Sequence, residues 1–310
     1  MNEQANLELR PDLFQPVARS RAEAEKIARP STTFWSDSWR RLRGHRMGML
    51  GLTIIVLIVL AAVVGPYLLP YGYADQDLKH GYEAPSSLHW FGTDNLGRDL
   101  LVRTLYGARI SLGVGFGGAF LVLVIGVLYG TISGFFGGMV DEVMMRVVDI
   151  IYSVPTLLYV ILLMVILKPG LRNIYIAIAI AQWVQMARVV RGETLSLKER
   201  EFVLAARTIG ASKWRIMLYH LIPNALGPII VTATLAVPEA IFLESFLSFI
   251  GLGVSAPMAS WGVMASEALS GLRSYPHLLL FPAGGIALTM LGFNFLGDGL
   301  RDALDPRMRR

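Results

Sequence analysis

The stretch MGMLGLTIIVLIVLAAVVGPYLL, residues 47–69, carries no charge in 23 residues. A helix rising 1.5 Å per residue needs roughly 20 apolar residues to cross about 30 Å of hydrocarbon. The run therefore reads as a transmembrane helix. Outward from it the pattern repeats. Of the 310 residues, 54% are hydrophobic and 16% charged, with mean hydropathy +0.52, whereas soluble domains run near 45–50% apolar and about 25% charged. The excess falls in blocks: 47–69, within 110–135, 144–167, 174–190, 225–250 and 278–296. The fold class expected is an all-α polytopic membrane protein with six transmembrane helices. Pro155 is expected to kink the third. The second is dense in glycine, which permits close helix approach in lipid.

Four parts follow: 1–46 as a polar tail and interfacial helix, 47–69 as the first span, 70–109 as an external segment, and 110–310 as a core of five further spans. Ser36 can cap the interfacial helix, on which Trp39, Leu42 and Arg46 recur at helical spacing. The first apolar run begins only after a polar head and ends without a small-residue cleavage site, so no signal peptide is expected. The head, the 136–146 loop, the 188–223 segment and the C-terminus hold 21 of the 28 lysines and arginines. Positive charge collects on the cytosolic side, so both termini and the 188–223 segment are placed there. The basic residues are dispersed and not interleaved with stacking aromatics, which gives no reason to expect a nucleic-acid partner. With no cysteine in the chain, a disulfide framework or thiolate metal site is excluded. The five histidines form no i,i+4 pair, so no metal is expected.

The half-polar insert EFVLAARTIGASKWRIMLYHLIP (201–223) is not apolar enough to span. Glu199 to Thr208 favour a helix, Gly210 suits a position of positive φ, and Ser212 can cap a second helix from Lys213 to Leu221. Pro223 ends or hinges it into the fifth span. Ala205 and Ala206 offer a small-residue face, Phe202, Leu204 and Ile209 apolar knobs, and Arg207, Lys213 and Arg215 surrounding charge. Such an element suits docking into the groove of a soluble partner.

The spacing F-V-x-A-A-x-x-x-G with a proline thirteen residues on resembles the EAA loop of ATP-binding-cassette importer permeases. Phe202, Val203, Ala205, Ala206, Gly210, Ile222 and Pro223 match; Leu204 stands where many members carry Glu, and His220 where many carry Ile. WRRLRGHRMGMLGL (39–52), FGTDNLGRDLL (91–101), YGARISL (106–112), ESFLSFIGLG (244–253) and GFNFLGDGLRDALDPR (292–307) resemble the peptide/nickel-type permeases, most of all the C-type subunit of oligopeptide permeases. The resemblance covers the chain from about residue 35 to its end. It implies that 198–223 is a coupling loop, cytosolic, seated in an ATPase cleft. It also implies a second homologous permease, two cytosolic ATP-binding subunits that hold ATP and Mg, an extracytoplasmic solute-binding protein, and a peptide substrate. The cell (inner or plasma) membrane of a prokaryote is the implied location. A dipeptide or nickel importer is the alternative substrate reading.

Glu239 and Glu244 lie in the fifth apolar run. An acidic group at bilayer centre costs about 2.5–3.5 kcal/mol on insertion scales, so both are candidates to line a pathway; Glu244, near the external end, can instead reach water. Asp149 is expected to pair with Arg146 at i,i+3. Asp94 or Asn95 can cap a helix through Leu105, which either packs on the bundle or contacts a partner. The Gly/Ser/Pro-rich stretch 251–277 reads as an external segment, re-entrant or not, and within it GLGVSAPMASWG (251–262) reads either as an outer gate or pathway-mouth loop, or as an interfacial turn anchored by Trp261. Asp298, Arg301, Asp302 and Asp305 have spacings suited to local ion pairs, with a contact to the ATPase as the alternative. No G-x-x-x-x-G-K-[ST] occurs, so no phosphate-cradling loop and no catalysis are expected of this chain. A proton-coupled secondary transporter using the carboxylates is the other functional class, and an intramembrane enzyme lacks any H-E-x-x-H or spaced nucleophile–base pair.

Overall fold

A computed structural model describes residues 33–255 and 257–305. The expectations for residues 1–32 and for the final Pro306–Arg310 lie outside that range. The described residues from Ser38 onward form one compact unit. Among the described residues the regular structure is helical, apart from one antiparallel bridge between Thr93 and Asp99.

We number the main helices α1 Phe34–Gly44, α2 Arg46–Leu68, α3 Leu100–Phe136, α4 Gly138–Ser153, α5 Thr156–Leu167, α6 Leu171–Ala181, α7 Trp183–Leu197, α8 Glu201–Thr208, α9 Lys213–Ile216, α10 Leu226–Phe249, α11 Trp261–Ala268 and α12 His277–Leu304. Among the described residues, five stretches are long and apolar enough to cross a membrane: α2, α3, α6 with α7, α10 and α12; α4 with α5 makes a sixth if the bent pair is one span.

Several expected bounds change, each for a local reason. α4 and α5 meet at 87°, far more than a kink. Pro155 contributes no N–H, and Val154 before it is extended (φ −91°, ψ 130°), as a residue preceding proline prefers. The fourth span is interrupted at Gln182 (φ −101°, ψ −10°). Side chains take up carbonyls freed there: Tyr159 Oη donates to Ala181 O at 3.1 Å and Trp183 Nε1 to Ile180 O at 3.0 Å. The second span and the expected external helix are one element, α3, whose N-cap is Asp99 and neither Asp94 nor Asn95; its Oδ1 accepts from Val102 N at 2.9 Å. α1 starts at Phe34, and the Thr33 hydroxyl accepts from Ser36 N at 3.3 Å, so Ser36 is not its cap.

α3 packs along α7, α10 and α2, and α12 along α2 and α10. The glycines of α3 work as foreseen. Gly126, Gly130 and Gly134 form an i,i+4,i+8 stripe against α7, where a Cβ on Gly130 would lie 2.4 Å from Ala187 O. Any side chain there would force the helices apart.

The ends of the helices sort by contact. Gly48 of α2 touches Gly299 of α12, and Gly227 of α10 approaches Leu304. Ala62 and Val63 of α2 meet Arg109 of α3. The segment after Pro70 therefore sits at the far end of α2, away from Gly48, and so does α11, whose Glu267 and Trp261 bind Arg103 and Thr104 at the start of α3.

Candidate functional site

The insert folds as a helix, a tight turn and a second helix. α8 closes with two backbone bonds: Gly210 N to Arg207 O and Ala211 N to Ala206 O, both 3.0 Å. This is the paired C-terminal closure that needs a left-handed residue, and Gly210 supplies φ +79°. Ser212 caps α9, its Oγ accepting from Arg215 N at 3.3 Å. α9 runs into a π turn, Met217–Leu221. Pro223, lacking an N–H, lies just beyond, and Asn224 Nδ2 donates to His220 O at 2.6 Å. Pro223 sits in a last helical turn, Ile222–Asn224, and the helix register breaks after it at Ala225 (φ −93°, ψ 2°), before α10 begins.

Helical periodicity divides the matched residues into two sets. Val203 and Ala206, three apart on one face, are buried with Ile216, Met217 and Leu221. Phe202, Ala205, Gly210 and Pro223 are exposed, and Ile222 is half-buried. Of the two alanines, Ala206 is buried within this chain and only Ala205 is exposed. The exposed knobs Leu204 and Ile209 are joined by Trp214, Leu218 and Tyr219, which sequence reasoning did not single out. Beneath the insert lies the C-terminal end of α3: Ile132 and Phe135 pack against its core. Arg207 lies 5.7 Å from the Phe135 ring and Lys213 5.2 Å from that of Phe136. Lys198 Nζ donates to Gly134 O at 3.1 Å.

α4 is held to α7 beside this site by two ion pairs. Arg191 grips Asp141 with Nε and Nη2, both at 2.5 Å, and Ser133 of α3 donates to the same carboxylate. Asp149 binds Arg188 Nη2 at 2.7 Å and not its neighbour Arg146. The pairing crosses helices, so helical spacing alone pointed to the wrong partner.

The two candidate pathway residues differ completely. Glu239 is exposed on α10. Glu244 is fully buried and reaches no water. It accepts from Ser111 at 3.0 Å, Ser245 at 3.4 Å and Ser248 at 2.7 Å. Ser111 also accepts from Trp261 N at 3.3 Å, and Ser260 donates to Ser248 at 3.4 Å. The serines tie α3, α10 and the start of α11 around one carboxyl group. Such satisfaction is what a buried acid requires.

Trp261 is buried, not interfacial; its Nε1 donates to Thr104 O at 3.0 Å. Asp94 organises the FGTDNLGRDLL turn, accepting from Leu96 N and Arg98 N and holding Arg98 Nε at 2.6 Å. Glu267 of α11 bridges Arg98 (3.1 Å) and the buried Arg103 (2.7 Å). That quartet was invisible in sequence because Glu267 stands more than 160 positions from both arginines. At the other end Asp302 faces His45 Nε2 at 3.4 Å, an inter-helix pair in place of an expected local one.

Residues 126–310 match the family of binding-protein-dependent transport system inner membrane components, and 33–85 match the N-terminal transmembrane domain of oligopeptide transport permease C. An oligopeptide transport system permease protein of Bacillus subtilis is 54% identical over 299 residues, covering 96% of this chain and 98% of its own length. A dipeptide transport system permease protein of the same organism is 51% identical over 289 residues, covering 93% and 90%. The inward-facing MetNI methionine ABC transporter shares the fold, with a TM-score of 0.53 at 18% identity, over 66% of this chain and 96% of that one.

Proposed function

This chain belongs to the binding-protein-dependent transport inner membrane components, in their oligopeptide permease C branch, and we propose that it is the non-catalytic permease subunit of an ATP-driven importer of oligopeptides in a bacterial inner membrane. The observation that carries the coupling part is the two-faced insert: Val203 and Ala206 fasten it to α3, while Phe202, Ala205, Leu204 and Ile209 remain outside. The outer face is the docking surface for a cytosolic ATPase. The insert, both termini and the Gly48–Gly299 end of the bundle face the cytosol, in keeping with the distribution of lysine and arginine; 70–99 and α11 are extracytoplasmic.

In this reading 1–46, 47–69, 70–109 and 110–310 act as tail, first span, external segment and transport core. A second homologous permease completes the pathway, two ATP-binding subunits hold ATP and Mg, and a solute-binding protein delivers peptide. When the ATPases close, the insert moves with its docking cleft. The π turn and the break at Ala225 pass that movement to α10, which carries Glu239 on its exposed side. Glu239 lines the pathway and attracts cationic peptides; Glu244 positions the start of α11 through its serines.

Uptake of a labelled pentapeptide into vesicles loaded with ATP tests the reading. Transport that requires ATP and survives dissipation of the proton gradient is expected. Transport driven by the gradient without ATP would return the chain to the secondary-transporter class. The 51% identical dipeptide permease sets a second comparison: the pentapeptide should outcompete a dipeptide.

A further inference from the structure

We propose that the loop APSSLHWFGT (84–93) is a membrane anchor, with Leu88 and Trp90 seated at the headgroup–acyl boundary beside the far end of α2. The ten residues contain no Asp, Glu, Lys or Arg. The loop is held on three sides. Ser86 N and Gly92 N both donate to His89 O at 2.8 Å, and His89 N donates to Ser86 Oγ at 3.1 Å. His89 Nδ1 lies 2.8 Å from Oδ2 of the buried Asp99 that caps α3. Phe91 turns inward and stacks on Phe281 at 3.7 Å.

This scaffold presents two large apolar side chains outward: Leu88 is 73% exposed and Trp90 66%. Loop tips that face water are ordinarily small and polar, and clustered exposed apolar groups mark a non-aqueous neighbour. The position identifies the neighbour. The His89 ring lies 4.8 Å from that of Tyr71, three residues beyond Leu68, where α2 ends. There Tyr67 and Leu68 are also exposed, continuing the outward row of Leu57, Leu60, Val63 and Val64 along α2. On a helix crossing a bilayer such an uncharged apolar row suits lipid, and the patch continues that surface past the end of the span. Tyr and Trp favour that depth because each ring has an apolar body and a polar atom. The anchor is independent of what the protein transports.

Because the chain has no cysteine, Leu88→Cys and Trp90→Cys each introduce a unique thiol for a nitroxide label, with the exposed Lys79→Cys as an aqueous reference. The full chain is placed in phosphatidylethanolamine/phosphatidylglycerol nanodiscs, and relaxation by oxygen is compared with relaxation by a neutral nickel chelate. At 88 and 90 oxygen accessibility should exceed nickel accessibility several-fold, and at 79 the order should reverse. Nickel access at 88 and 90 equal to that at 79 would mean a solvated loop; exclusion of both reagents would mean a protein partner. Either overturns the proposal. Should labelling disturb folding, brominated-lipid quenching of the native chain against Trp90→Phe decides it. Greater quenching of the native chain supports the anchor, and equal quenching removes it.

Discussion

Arg109 lies in a helix long enough to span a membrane, and its guanidinium is accommodated by a defect in the neighbouring helix. Pro66 has no N–H to give Ala62 O, its partner four residues back. Arg109 Nε donates to that carbonyl at 2.6 Å and Nη2 to Val63 O at 2.8 Å, and the guanidinium lies 4.7 Å from the Tyr67 ring. Arg109→Ala should cost about 1.5–3 kcal/mol, the range for charged hydrogen bonds. In a Pro66→Ala background the cost should shrink, because residue 66 then supplies the missing donor. A double-mutant cycle by thermal unfolding in detergent measures this, and additive losses would contradict the pairing. Glu239→Gln should lower uptake of cationic peptides relative to neutral ones, whereas Glu244→Gln should leave the ratio unchanged; competition uptake measures both. In the extramembrane segment His80 is raised above the usual imidazole value, first by its hydrogen bond to Glu83, then by the charges of Glu83 and Asp77. Its folded form favours the proton, so its stabilising effect is complete below about pH 6.5 and is lost as pH rises through the raised value. Histidine hydrogen exchange should place its midpoint above 6.5, and Glu83→Gln should bring it back down.

At the scale of elements, the turn after α8 depends on one backbone conformation. Nothing lies within 4 Å of a Cβ built on Gly210, so substitution there is governed by φ alone. Gly210→Ala should destabilise the insert by about 1–2 kcal/mol, the penalty of a left-handed L-residue, and Gly210→Asn by less; proteolysis across 208–213 reads the difference. This turn was legible because glycine followed by a capping serine is a strong local signal. The spans were legible because each is a long uncharged block. The start of α3 was not: Arg98, Asp99, Arg103 and Arg109 make its first turns look like a separate polar segment. With 37 residues, α3 is about 55 Å long at 1.5 Å per residue, well over the hydrocarbon thickness. At its N-terminal end Asp94 and Glu267 neutralise Arg98 and Arg103. The 87° turn at Pro155 was also hidden, because a proline announces a break and carries no angle. Likewise Glu244 could be read as lining a pathway or reaching water, because Ser111 and, through Ser248, Ser260 come to it only in the fold.

For the whole molecule, the described core divides into mechanical parts that meet at α3. Its glycine stripe carries α7, its N-terminal turns carry α11 through Arg103 and Trp261, and its C-terminal end carries the insert. An ATPase docked on the insert would therefore act on α10 through the π turn, with α3 as the fixed rail. The claim turns on which face of α8 is outside. The most direct measurement is co-purification of ATPase subunits with the native chain, Ala205→Arg and Ala206→Arg, each also scored for thermal stability. Ala205→Arg should keep the native melting temperature and lose the ATPase. Ala206→Arg should lower the melting temperature, because its arginine enters the pocket formed by Val203, Ile216 and Leu221. If Ala205→Arg retained the ATPase at native levels, the outer face of the insert would not be the docking surface, and the coupling account would fail.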